Sequence, residues 1–180
     1  GEIPITKHVF AEELRYLDSE TYRYKDLDFE HEIVFFDRSI LSQVIHCLVT
    51  SEPNSEKRSW FLGQVVDLIS RKKILFPDVY IFLFCQASCI RQRILKNESK
   101  MTPSLFYSEE YLNKAYGYFV RIQDFLTNRG VDVRVMDTSE LSEQDTFLRV
   151  TEHLNMASEV PCSDSIMNEL LSGLLYDLEV

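Results

Sequence analysis

Residues 32–42 read EIVFFDRSILS. The run Ile33–Phe36 is β-branched and aromatic, and its apolar positions are consecutive. A strand with one face in water alternates apolar and polar residues. An unbroken run predicts a strand buried on both faces, as in a parallel sheet. The run stops on Asp37-Arg38-Ser39, and ILSQVIHCLVT (40–50) continues with helical spacing. Asp37 and Arg38 then fall at the carboxyl end of a buried strand, where open α/β sheets bind their ligands. An acid and a base there serve a polar substrate without placing charge in the core.

The same alternation runs through the rest of the chain. VYIFLFC (79–85) is a second fully apolar strand, and VDVRVMD (131–137) is a third, more polar one, expected nearer a sheet edge. KHVFAEELRYL (7–17) has helical spacing, whereas residues 18–31 are polar and mixed. SEPNSEK (51–57) is rich in turn residues, and residues 59–73 follow as an amphipathic helix with basic residues in its last turn. Residues 87–97 form a basic helix. Residues 108–130 carry a Ser108 cap, early acids and a closing Gly130, the start and stop signals of a helix. Residues 139–156 are helical again. After Pro161, Ile166, Leu170, Leu174 and Leu178 make one stripe on a last helix, which either packs on the domain or docks on a partner. Strands alternating with helices predict an α/β fold with a parallel sheet and right-handed crossovers.

The 180 residues fit one domain of ordinary size, and 45% hydrophobic content supports a substantial core. Five glycines and five prolines argue against a linker-rich chain. No apolar run reaches the roughly 20 residues that span a membrane. The net charge of −10 repels a phosphate backbone, which disfavours broad nucleic-acid binding but leaves room for one small basic pocket. Cys47, Cys85, Cys89 and Cys162 form no CxxC pair, and His8, His31, His46 and His153 have no ligand spacing, so no metal site is expected. The cysteines read as reduced core thiols of a cytoplasmic protein.

Four groups of residues have the chemistry for function, each with a plainer structural role beside it. Asp37 suits a general base or a carboxylate that holds Mg²⁺ through water, and Arg38 offers planar donors to a phosphate. Equally, the two form a strand-end ion pair and Ser39 caps the next helix. Arg91, Arg93, Lys96 and Lys100 concentrate positive charge suited to phosphoryl transfer, or make a solvated helix face. Tyr107, Tyr111, Tyr116, Tyr118 and Phe119 suit stacking on a base, or packing. Gln64 suits reading a base edge, or lies on the surface.

In this order, "FFDRSILS", "FPDVYIFLFCQASCIRQRI" and "VDVRVMDTSELSEQDTFLRVTEHL" resemble the P-loop nucleoside and nucleotide kinases, the thymidylate kinase and deoxynucleoside kinase group, over roughly residues 32–155. The resemblance implies a three-layer α/β/α domain over residues 1–160, followed by an amphipathic helix in 161–180. It implies ATP- and Mg²⁺-dependent phosphoryl transfer to a nucleoside, nucleotide or similar small acceptor. Asp37 and Arg38 would be catalytic, Ser39 and Gln64 would bind substrate, and Arg93, Lys96 and Lys100 would face the ATP phosphates. Two departures accompany it. Asn97 stands where the group's lid carries a further arginine, and none of the five glycines belongs to a GxxxxGK[ST] phosphate loop. The expectation is that the natural chain continues upstream with that loop. The alternative is a kinase-like binding or assembly module without catalysis, and self-association into a homodimer through the last helix belongs to it.

Overall fold

The computed structural model describes residues 11–25, 39–53, 55–97, 108–154 and 163–175. Within them lie α1 (Ala11–Lys25), α2 (Ile40–Thr50), α3 (Glu56–Ser70), β1 (Val79–Phe84), α4 (Ala87–Asn97), α5 (Glu109–Asn128), β2 (Asp132–Asp137), α6 (Glu143–Leu154) and α7 (Asp164–Leu175). The fold is a helix-dominated α/β arrangement with a two-stranded parallel sheet among the described residues. The expected strand at 32–36 lies outside them. The chain divides into two compact units, residues 1–77 with 163–180, and residues 78–162.

The first unit is helical where described, and α3 is its hub, packing against α1, α2 and α7. Its buried face, Phe61, Leu62, Val65 and Ile69, follows the 3.6-residue period. Ile40, Leu41, Val44, Ile45 and Leu48 of α2, with Met167, Leu170, Leu171 and Leu174 of α7, are also buried. The apolar stripe of the last helix is therefore used inside the chain as far as Leu174, while Leu178 lies outside the described residues. Arg58 is 1% exposed, and its charge falls on the C-terminal end of α2. Its Nη2 donates to the carbonyls of Leu48 at 2.9 Å and Ser51 at 3.0 Å, acceptors that a helix end leaves without an intrahelical donor.

Helix ends depart from the sequence reading for identifiable reasons. α1 runs on to Lys25, through residues expected to be polar and irregular, because Leu17 and Glu20 are buried one turn apart. α3 starts at Glu56, where Ser55 accepts the Arg58 N–H at 3.3 Å, and ends at Ser70 rather than Lys73. Lys72 turns left-handed at φ 54°, with Lys72 N–H bonded to Ile69 O and Lys73 N–H to Leu68 O. This is the Schellman closure normally made by glycine. At the end of α5, Gly130 (φ 78°) makes the same closure through Thr127 O, and Val131 through Leu126 O. α6 starts at Glu143 rather than Ser139, because Ser142 accepts the Asp145 N–H at 3.0 Å and residues 138–141 are committed to a turn.

In the second unit β1 and β2 run parallel in the register Val79↔Asp132 to Phe84↔Asp137, with α4 and α5 in the connection. α5 packs on β2 and α4. The Phe82 and Phe119 rings meet edge-on at 5.6 Å, and Phe84 meets Tyr116 at 4.3 Å. Tyr116 and Phe119 of α5 thus pack against β1, the plainer of the two roles the sequence allows, Tyr118 lies against Arg121, and Tyr107 lies outside the described residues. Leu83 is 54% exposed, so β1 is covered less fully than an unbroken apolar run predicts. No helix among the described residues is long and apolar enough to cross a membrane.

Because Leu170 is buried in the core of the first unit and Ser172 of the same helix is exposed, Leu170→Ala is expected to cost about 2–5 kcal/mol in urea unfolding and Ser172→Ala well under 1. A cost for Leu170→Ala as small as that of Ser172→Ala would remove α7 from the core. Lys72→Gly is expected to raise the urea midpoint, since it relieves a left-handed lysine at a cost of about 1 kcal/mol.

Candidate functional site

The carboxyl ends of β1 and β2 meet in a dense polar cluster. The Thr138 N–H donates to Phe84 O at 2.7 Å, and its hydroxyl donates to the same oxygen at 2.9 Å. Thr138 is 5% exposed, so the threonine locks the strand ends together one residue past the ladder. The Gln86 N–H donates to Ser139 Oγ at 3.0 Å, which ties the start of α4 to the turn after β2. Ser139 N–H in turn donates to Asp137 Oδ1 at 2.8 Å, an Asx turn that aims the chain away from the sheet.

Arg93 reaches into this cluster from α4. Its Nη2 donates to Thr138 O and to Leu141 O at 3.1 Å, and its Nη1 lies 3.5 Å from Thr138 Oγ1. A planar guanidinium suits such a forked contact, and an ammonium does not. Cys89 Sγ donates to Ser139 O at 3.2 Å. Burial pushes the Cys85 thiol above its ordinary range, its hydrogen bond to Cys89 adds to this, and the charge of Arg93 opposes it. The Ser139 hydroxyl, and then its amide, hold the exposed Asp137 carboxyl below its ordinary range.

Of the residues expected to bind ATP phosphates, Arg93 is therefore anchored on backbone carbonyls, and Lys96 is exposed in the last turn of α4. Arg91 makes an exposed 3.6 Å ion pair with Glu109, a contact of little energetic weight. Lys100, Asp37 and Arg38 lie outside the described residues. Ser39, which follows Asp37-Arg38 directly, caps α2 with extended backbone and accepts the Leu41 N–H at 3.3 Å. Gln64 is half-buried on α3. Ser39 and Gln64 belong to the first unit, and Arg93 and Lys96 to the second.

The sequence reading passed over Cys85, Cys89, Asp137, Thr138 and Ser139 as site residues. The available signal was Asp-Thr-Ser at a strand end, which is turn-forming chemistry. Two thiols flanking the parallel strand's exit were a second signal. Among the described residues no group of three or more His, Cys, Asp or Glu side chains is arranged to hold a metal ion. Compared with protein-family models, with curated proteins and with solved structures, the chain gave no match.

Arg93→Ala is expected to cost about 1 kcal/mol in unfolding free energy, the exposed position discounting its charged hydrogen bonds, and Arg93→Lys is expected not to recover it. Asp137 has a depressed pKa in the folded state, so its contribution is complete above about pH 4 and is lost as pH falls through the folded-state value. In acid titrations followed by urea unfolding, Asp137→Asn is expected to weaken this part of the pH dependence. An unchanged profile would show that the Ser139 contacts do not hold the carboxylate.

Proposed function

We propose that the chain carries out ATP- and Mg²⁺-dependent phosphoryl transfer to a nucleoside, nucleotide or similar small acceptor. In this reading its fold is a three-layer α/β/α domain of P-loop kinase type, with residues 32–36 as a further parallel strand. The observation that carries the proposal is the pair of parallel strands whose carboxyl ends converge on a polar turn gripped by a basic helix. Ligands of open parallel sheets bind at that end. The order of DRS segment, capped helix, strand and basic helix supports the same reading.

Asp37 takes the proton of the acceptor hydroxyl, and Arg38 binds phosphate oxygens. Ser39 and Gln64 line the acceptor side, the Ser39 side chain orienting α2 through its cap. Arg93, with Lys96 and Lys100, adds positive charge on the phosphate side, although the hold of Arg93 on Thr138 makes it first a positioning residue for the turn. ATP supplies the phosphoryl group. Asp37 is the one protein carboxylate this reading assigns near its Mg²⁺, through water. Catalysis is positioning and charge neutralisation.

The test is ADP release with Mg²⁺ and ATP across a panel of nucleosides and nucleoside monophosphates, on the natural gene product. Acceptor-dependent turnover is expected, with a loss of about 10²–10⁴-fold in Asp37→Asn and an unchanged unfolding curve. Arg38→Ala is expected to lose turnover likewise. Undiminished turnover in both variants would remove the site assignment, and no turnover with any acceptor would remove the phosphotransferase.

A further inference from the structure

The sheet of the second unit has two strands, and among the described residues no further strand pairs with the outer edge of either. The two edges differ in chemistry. β2, DVRVMD, carries Asp132, Arg134 and Asp137, the kind of charge that keeps an exposed strand from pairing with another chain. β1, VYIFLF, has no charge, proline or glycine, so nothing in its sequence blocks a further strand.

The backbone fixes which groups β1 offers. The carbonyl of Phe84 points at β2, where it accepts the Thr138 N–H. Along a strand the N–H and C=O groups of successive residues point alternately to the two sides. Tyr80, Phe82 and Phe84 therefore serve the ladder with β2, and Val79, Ile81 and Leu83 turn their N–H and C=O groups to the open edge. The side chains of these three share the face opposite to that of Phe82 and Phe84, which meet α5. Leu83 stands exposed there, and Val79 and Ile81 are half-buried.

We propose that this edge binds β1 of a second copy of the chain, antiparallel about a twofold axis through Ile81. Val79 then stands opposite Leu83 of the second copy, and Ile81 stands opposite its own counterpart. Each of these is a hydrogen-bonded pair, so the outward N–H and C=O groups of all three residues find partners. The exposed leucine of each copy gains an apolar neighbour, and two sheets of two strands become one of four, in the order β2-β1-β1-β2. Along this seam no charge faces a like charge, although each chain carries −10. Asp78, which is exposed, comes opposite Phe84 of the second copy, two residues short of the Gln86 cap of its α4. The first turn of α4 contains no acid, so its positive end has no negative partner of its own there. Asp78 supplies one from the other copy, once on each side of the axis, and this charge complementarity selects a second copy over an unrelated strand. The last helix takes no part, since its stripe is buried in the first unit. The proposal does not rest on the phosphotransferase reading.

Sedimentation velocity on the chain at rising concentration is expected to show conversion to twice the 21.2 kDa of one copy. Over the same range, hydrogen exchange resolved by NMR is expected to slow at the Ile81 and Leu83 amides. It is expected not to change at Val133 and Val135, whose amides face the other edge of the sheet. Leu83→Lys places a charge in the seam and is expected to raise the dimer dissociation constant at least about tenfold, with an unchanged urea curve for the monomer. Asp78→Asn is expected to raise it by a smaller factor. A chain that stays monomeric, because another segment fills the edge, would overturn the proposal. So would a dimer in which the Ile81 and Leu83 amides exchange as fast as in the monomer.

Discussion

The carbonyl oxygen of Phe84 accepts both donors of Thr138, and the second unit is organised around that double contact. It fixes the register of two parallel strands at the end where they diverge into different connections. A parallel ladder is slanted, and it has no hairpin to hold its strands together. A lock at one end therefore matters more here than it would in an antiparallel pair. With Thr138 held, its own carbonyl is presented to Arg93 and its successor, Ser139, to the start of α4. The strand ends, the first turn of the crossover helix and the turn into α6 thus share one small network. A change at any member is felt by the others.

The chain carries a net charge of −10, and two of its arginines reach main-chain oxygens as well as whatever acids surround them. Arg58 in the first unit and Arg93 in the second both place guanidinium donors on main-chain carbonyls at the end of an element. Both spend a planar fork on two acceptors that secondary structure leaves over. The acids are instead largely exposed, so the surface stays strongly negative while the joints are closed by cations. A ligand carrying phosphates would meet that surface with little attraction except beside the basic helix, where Lys96 stands exposed.

Element types were well marked in the sequence. Residues 87–97 and 40–50 follow the expected helices, and the strands at 79 and 132 follow their apolar runs, because those segments combine a clear period with Gly, Ser or Pro punctuation. The ends of α1, α3 and α6 were less legible. Glu20 is a buried acid, and Lys72 is a left-handed lysine that takes the place of glycine in a local helix closure, both against residue preference. In the candidate site Arg93 was legible as a conspicuous cation, but its attachment to Thr138 was not, since that contact joins residues 45 positions apart. The role of Ser39 as a cap was legible from its place before an apolar helix.

The buried guanidinium of Arg58 also has a mechanical meaning. It rivets the far end of α2 to the first turn of α3, while the opposite end of α2 is the Ser39 cap, directly after Asp37-Arg38. An eleven-residue helix is about 16 Å long, and α2 is buried from Ile40 and Leu41 to Leu48, so it is a stiff rod seated along its length and pinned at one end by Arg58. With both its end and its face held, α2 passes a push at Ser39 to the α3 junction as a shift of the whole rod.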